Sequence, residues 1–223
     1  MPLRELLDIR PGVTAVLGGG GKTTLLRTLG EELAQGGRVL LCTTTKIYPF
    51  PDLPCARTAE ELDDLARRYR LLCAGTEVPG TGKLTAPAYP MAALAARFDY
   101  VLVEADGSAQ RPMKAHAPHE PVIPAETNQR ILVVGASGFG RPILQAAHRP
   151  ERYAALAKAS VEDAVTPERA AAVLRSEGLH DRIYVNQVET RQARENAGEL
   201  AERLACPVLA GSLREGRYAV CWS

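Results

Sequence analysis

Short apolar runs alternate along the chain with segments whose apolar residues recur every three or four positions. Strand-length runs followed by amphipathic stretches predict repeated βα steps, and hence an α/β fold with a mostly parallel sheet flanked by helices. Residues 13–17 read as the first strand. Four glycines follow, then a helix over residues 22–35 that Gly36 and Gly37 stop. Residues 38–42 read as a second buried strand, and a loop with Pro49, Pro51 and Pro54 leads to Thr58. Thr58, with Glu61 three positions on, has the spacing of a capping box and opens a helix running to Arg68. Residues 71–74 predict a short strand, 75–87 a turn or small hairpin, 90–97 a helix and 100–103 a central strand. A long proline-bearing loop fills 107–126 before a strand at 130–134. Helices are expected at 150–159 and 167–177, a strand at 182–185, a helix ending at Leu204 and a last strand at 207–210. With no internal repeat or low-complexity linker, the expectation is a single domain over 1–223 with a helical insertion near 140–178.

Composition narrows the function classes. Across 223 residues, Lys and Arg number 27 against 26 for Asp and Glu, a net charge of +1 that gives no bulk attraction to nucleic acid or anionic lipid. Cys42, Cys55, Cys73, Cys206 and Cys221 are widely spread without C-x-x-C spacing, and they read as reduced thiols. Arg4, Glu5, Asp8 and Arg10 interrupt the start of the chain where a signal peptide needs an apolar stretch, and no run of about 18 apolar residues occurs. A cytoplasmic protein with neither a membrane nor a nucleic-acid partner is expected.

The chemistry concentrates at the ends of the predicted strands. Gly18, Gly19, Gly20 and Gly21, followed by Lys22, Thr23 and Thr24, lie between a strand and a helix, the context of a phosphate-binding loop. Glycines let successive amides turn toward phosphate oxygens, the helix N-terminus adds positive potential, Lys22 reaches the terminal phosphates and the Thr23 hydroxyl suits Mg2+. The strict spacing wants glycine where Val16 stands, so a tighter loop is expected. Glu104 follows the central apolar run where a P-loop NTPase keeps its metal-side acid, and Asp106 shares its face if the strand continues. The metal shell is therefore read as Thr23, Glu104 and Asp106, around a nucleoside triphosphate and Mg2+.

Other strand ends add candidates. Thr43, Thr44, Thr45 and Lys46 close the second strand with groups suited to phosphate and water contacts, although threonine also favours strands for structural reasons. Asn186, Gln187, Val188 and Glu189 resemble the guanine-reading Asn-Lys-x-Asp pattern, with Gln187 and Glu189 replacing lysine and aspartate. Ala210, Gly211 and Ser212 stand where such proteins carry a supporting base loop. The residues leave both GTP and ATP open. In the proline-bearing loop, Lys114, His119 and Glu120 are candidates for substrate or phosphate contact. His116 and His119 alone are a weak metal signal.

Taken together, these stretches resemble the YqeC family. The likeness is carried by the Gly18 to Thr24 loop, Thr43-Thr44-Thr45-Lys46, Glu104-Ala105-Asp106-Gly107-Ser108, His119-Glu120-Pro121-Val122-Ile123-Pro124 and His148-Arg149-Pro150-Glu151, in that order. Gly135, Gly140-Arg141-Pro142 and Thr166-Pro167-Glu168 extend it over nearly the whole chain. The resemblance implies a P-loop NTPase that acts as an accessory or maturation factor for selenium-dependent molybdenum hydroxylases, with the hydroxylase or a cofactor intermediate as its partner. It also implies shared roles for Lys22, Thr23, Thr45, Lys46, Glu104, Asp106, Lys114, His119, Glu120, Arg141 and Arg149. Two activities fit: a switch or insertion NTPase that couples hydrolysis to cofactor or selenium delivery, and a small-molecule kinase or ligase that activates a pathway intermediate. A scaffold that only binds nucleotide is a third reading, which the presence of Lys22, Thr23 and both acids disfavours.

Overall fold

The computed structural model describes residues 1–222. The chain divides into two compact units, one built from residues 1–16, 23–107 and 122–129, the other from 17–22, 108–121 and 130 onward.

In the first unit, α1 (Leu3–Leu6) precedes β1 (Gly12–Gly18), and α2 (Lys22–Leu33) follows the glycine loop. Then come β2 (Val39–Thr43), β3 (Cys55–Ala56), α3 (Ala59–Arg68), β4 (Leu71–Ala74), the hairpin of β5 (Thr76–Val78) and β6 (Lys83–Thr85), α4 (Met91–Arg97) and β7 (Tyr100–Glu104). The strands β1, β7, β2, β4 and β3 lie side by side in that order, each pair parallel. All five residues of β2 are buried, as expected of a parallel strand covered on both faces. Alternation assigns the two faces. Leu40, Cys42, Leu72, Ala74, Val101 and Val103 join Leu62 and Ala66 of α3 and Leu94 of α4 in one core. On the opposite face Leu41 meets α2, where a side chain at Gly30 would come within 3.1 Å of a Leu41 methyl. Helix α3 starts at the expected cap: the Thr58 side chain accepts from the Glu61 amide at 3.2 Å, while Glu61 reaches one residue further back than a capping box has it and accepts from the Arg57 amide at 2.7 Å.

The second unit opens with β8 (Met113–Lys114) and contains most of β9 (Thr127–Gly135), followed by a turn of 3-10 helix over Ala136–Gly138. Next come α5 (Ile143–Ala146), β10 (Ala147–His148), α6 (Pro150–Ala157), α7 (Pro167–Glu177), β11 (Arg182–Asn186), α8 (Arg191–Ala201), β12 (Val208–Ser212) and β13 (Arg217–Trp222). β9, β11 and β12 run parallel and β13 returns antiparallel on the outside. β8 and β10 form a separate parallel ladder. Helix α7 packs on α6 and α8, and α8 on β12 and β13. Thr166 and Thr190 cap α7 and α8 through their hydroxyls.

The two units together show the expected α/β class, mostly parallel strands flanked by helices. Several boundaries differ from the sequence expectation. The helix after the glycine loop ends at Leu33, and the strand expected from residue 130 begins at Thr127. The central strand runs to Glu104 and stops there, so Asp106 lies beyond it and does not continue its face. The pairs β3, β8 and β10 have only two residues each, too few to show a period. Among the described residues, no helix is long and apolar enough to cross a membrane.

Candidate functional site

The glycine loop is built to bring main chain close to main chain. Gly20 has φ +82° and Gly21 +125°, conformations that L side chains rarely adopt. A Cβ on Gly20 would meet the Gly135 Cα at 2.4 Å, and one on Gly21 would meet Asn186 Nδ2 at 2.4 Å. Within the second unit, to which the loop belongs, the Gly19 amide donates to Val133 O at 2.9 Å and Asn186 Nδ2 donates to Gly20 O at 2.8 Å. Lys22 is buried, and its Nζ donates to Gly18 O at 2.7 Å, so its ammonium already lies against the loop's own backbone.

Within the first unit, register places the acid. Glu104 is the last residue of β7, paired with Val16 of β1 on one side and Thr43 of β2 on the other. Its side chain is buried, and the Thr23 hydroxyl at the start of α2 donates to its Oε2 at 2.8 Å. Thr43 uses its hydroxyl proton on Glu104 O at 2.8 Å while its oxygen accepts from the Thr45 amide at 3.0 Å. The Thr45 hydroxyl, 3.3 Å from the same oxygen, must then be the donor toward it. Thr44 donates to Val122 O at 2.6 Å, and the Val122 amide donates to Ala105 O at 2.9 Å, so a piece of the proline-bearing loop is stitched to the ends of β2 and β7. Asp106 is fully buried, whereas Lys46 and Thr24 are exposed.

The base-side candidates come together in the second unit. Asn186 ends β11; besides holding the loop through Gly20, it accepts from the Leu213 amide at 3.1 Å. Ser212 ends β12 and its hydroxyl donates to Glu189 Oε1 at 2.9 Å, which orients an otherwise exposed carboxylate. Gln187 takes φ +65°, and its amide oxygen accepts from Ser137 at 2.6 Å.

Of the residues assigned to the substrate loop, the structure brings three together. Glu120 lies between Lys114, whose side chain is fully buried, at 3.1 Å and Arg149 at 2.8 Å. Burial raises the Glu120 pKa, but the bonds from Arg149 and Lys114 outweigh it and hold the carboxyl below the usual range. Arg149 stands at the N-cap of α6 with φ +62°. His119 and Arg141 are not part of this cluster, and both are exposed. The His116 ring and amide both face Glu177, with Nδ1 2.8 Å from one oxygen and the amide donating to the other at 2.7 Å. That pairing is buried and separate from His119. No spacing rule could have found it, because its partners lie on β8's trailing segment and the end of α7. Among the described residues, no group of three or more His, Cys, Asp or Glu side chains is placed to hold a metal ion by itself.

Comparison with known proteins identifies the family. One relative, printed as "Uncharacterized protein YqeC" of Escherichia coli (strain K12), is 34% identical over 154 residues, covering 65% of this chain and 60% of its own length. Among solved structures, chloroplast FtsY from Physcomitrella patens superposes with TM-score 0.48 at 18% identity, over 95% of this chain and 62% of that one. Signal Recognition Particle 54 kDa protein from Aeropyrum pernix K1, in complex with GDP, superposes with TM-score 0.39 at 14% identity, over 95% and 44%. Neither likeness bears on activity. The profile described as "YqeC protein" matches residues 14–151, which takes in the glycine loop, Glu104 and the Lys114–Glu120–Arg149 cluster, and the chain belongs to that family.

Proposed function

We propose that this protein is a Mg2+-dependent nucleoside triphosphatase that prefers GTP and serves as an accessory factor in maturing selenium-dependent molybdenum hydroxylases. The observation that carries the nucleotide reading is the glycine loop between β1 and α2, with Thr23 at its exit bonded to Glu104 at 2.8 Å. A hydroxyl and a carboxylate in contact at a helix N-terminus are hard oxygen donors that fit Mg2+, which accepts few protein ligands and takes the rest from phosphate and water. Thr23 and Glu104 would hold the ion, with Asp106 the nearest further acid along the chain. Bound there, Mg2+ neutralises charge on the phosphate oxygens. The chain's own share is positional. The loop amides and Lys22 hold the phosphates, and Thr43 fixes Thr45 and the end of β7 so that Thr45 and Lys46 can orient the attacking water or the terminal phosphate.

Base choice rests on Glu189. A carboxylate only accepts, so it suits the paired N–H donors of guanine and opposes the ring-nitrogen acceptor of adenine. Ser212 pre-orients it, and Asn186 links that side to the phosphate loop. The hydroxylase role draws its support from family membership and from His119 and Arg141, exposed side chains available to a protein partner or a cofactor intermediate. The test is deletion of the gene in its host, with hydroxylase activity, selenium and molybdenum measured in the purified enzyme. Loss of activity with selenium depleted supports the role, whereas full activity with full loading removes it and leaves the nucleotide reading standing.

A further inference from the structure

Cys55 and Cys73 are register partners on the neighbouring parallel strands β3 and β4. Two main-chain bonds bracket the pair, Cys73 N to Pro54 O at 2.9 Å and Gly75 N to Ala56 O at 3.0 Å, so the register is fixed on both sides. Paired residues of adjacent strands project to the same face, and the strands lie about 4.8 Å apart. That spacing is inside the ~4.4–6.8 Å Cα separation a disulfide spans. The two thiols are close enough for each to influence the other's ionisation. Neighbouring Cys42 is excluded as a partner by parity. Cys73 pairs with Leu41, so Cys42, one residue on, faces the opposite side, where it is fully buried in the core.

We propose that Cys55 and Cys73 form a redox-active dithiol, with Cys55 the attacking sulfur and Cys73 the resolving one, that a hydroperoxide closes to an intramolecular disulfide. The roles follow from placement: Cys55 is half-buried at the sheet edge and reachable, while Cys73 is buried behind it. The Cys73 thiol and the charge of Arg57 lower the Cys55 pKa against its burial, and Cys55 together with burial raises that of Cys73. Cys42 has no such partner, and burial pushes its thiol up to about 12.

The steps balance. The Cys55 thiolate attacks the distal peroxide oxygen, an S–O bond forms, the O–O bond breaks, and the alkoxide (or hydroxide) leaves and takes a proton from water or from the medium. The Cys73 sulfur then attacks the Cys55 sulfur, the S–S bond forms, the S–O bond breaks, and hydroxide departs as water with the Cys73 proton. Two thiols are oxidised, and one hydroperoxide is reduced to alcohol and water. The bond would fasten β3, a two-residue edge strand, to β4. It would thereby anchor the far end of the loop that begins at Lys46.

The test treats the native full chain with excess hydrogen peroxide, blocks remaining thiols with N-ethylmaleimide and maps the peptides by mass spectrometry. A Cys55–Cys73 linked peptide is expected, reversed by dithiothreitol and absent in Cys55→Ser, in which Cys73 is recovered as a free thiol that N-ethylmaleimide labels once the chain is unfolded in denaturant. Before oxidation, Cys55 should alkylate at least about tenfold faster than Cys206 or Cys221, whose thiols burial raises. Because Cys55→Ser alters only a half-buried edge position, the result does not depend on a core substitution folding. Accumulation of sulfinic acid at Cys55 without a linked peptide, linkage through another cysteine, or equal alkylation rates would each overturn the proposal.

Discussion

Two carboxylates in this protein sit in opposite kinds of company. Glu104 ends a buried strand and takes a neutral hydroxyl from Thr23, whereas Glu120 is clamped by two cations, Lys114 and Arg149, drawn from separate segments. A carboxylate that accepts from a hydroxyl at the start of a helix is a donor of the kind Mg2+ takes, the role proposed for Glu104. One that neutralises a buried ammonium has its charge committed. The contrast divides the two acids into a proposed chemical part and a structural part, so substitutions should separate turnover from stability.

The largest effect is expected at the glycine loop. Lys22→Ala should weaken triphosphate binding about 1,000-fold, roughly 4 kcal/mol, by calorimetry on a variant whose circular dichroism matches the parent. Equal affinity in the two proteins would remove the phosphate site and with it the special standing of Glu104.

Next comes the clamp. Glu120→Gln removes a carboxylate charge that bridges the buried Lys114 ammonium and Arg149 and should cost about 3 kcal/mol, a fall of roughly 6–12 °C in Tm for a chain of this length. The Glu120 pKa is lowered in the folded state, so its stabilisation is present above the ordinary carboxyl value of 4.5 and is lost as pH falls through the lower folded value. The Tm gap between parent and variant should therefore close on acidification below that value. A gap that stays constant would mean the cations do not act through the charge of Glu120.

Glu104→Gln tests the other half of the contrast. It should lower kcat roughly 100-fold with little change in Tm and a much smaller change in nucleotide affinity. If instead it unfolds the protein while Glu120→Gln slows turnover, the two acids have been assigned the wrong way round.

The sequence showed one of these acids far more clearly than the other, for a physical reason. Glu104 follows a continuous apolar run, and Lys22 follows a glycine run, so the local pattern alone puts both at strand ends. Glu120 could be named but not interpreted, because its partners at Lys114 and Arg149 are brought to it by the ladder of β8 and β10, two-residue strands with no periodicity. The thiol pair was hidden in the same way: Cys55 belongs to a two-residue strand and acquires its partner only through the register with β4. His116 and His119 look adjacent on paper, yet one is buried against Glu177 and the other is exposed. Asp106 would share the face of Glu104 only if the strand continued; the strand ends at Glu104, and Asp106 is buried just past it.

The smallest expected effect lies on the base side, where a third carboxylate extends the comparison. Glu189 resembles neither Glu104 nor Glu120: it is exposed, and its contact is the Ser212 hydroxyl at the end of β12. An exposed carboxylate competes with water for the guanine edge, so its discrimination should be modest, about tenfold or 1.4 kcal/mol in the ratio of GTP to ATP affinity. Glu189→Ala should narrow that ratio by weakening GTP while leaving ATP nearly unchanged. Ser212→Ala should narrow it by a smaller factor, because the carboxylate remains but is no longer oriented. Competition titrations with both nucleotides read the two effects directly. A parent protein that prefers ATP would overturn the base assignment without touching the proposed phosphate site, since the roles proposed for Lys22 and Thr23 concern the triphosphate and not the base.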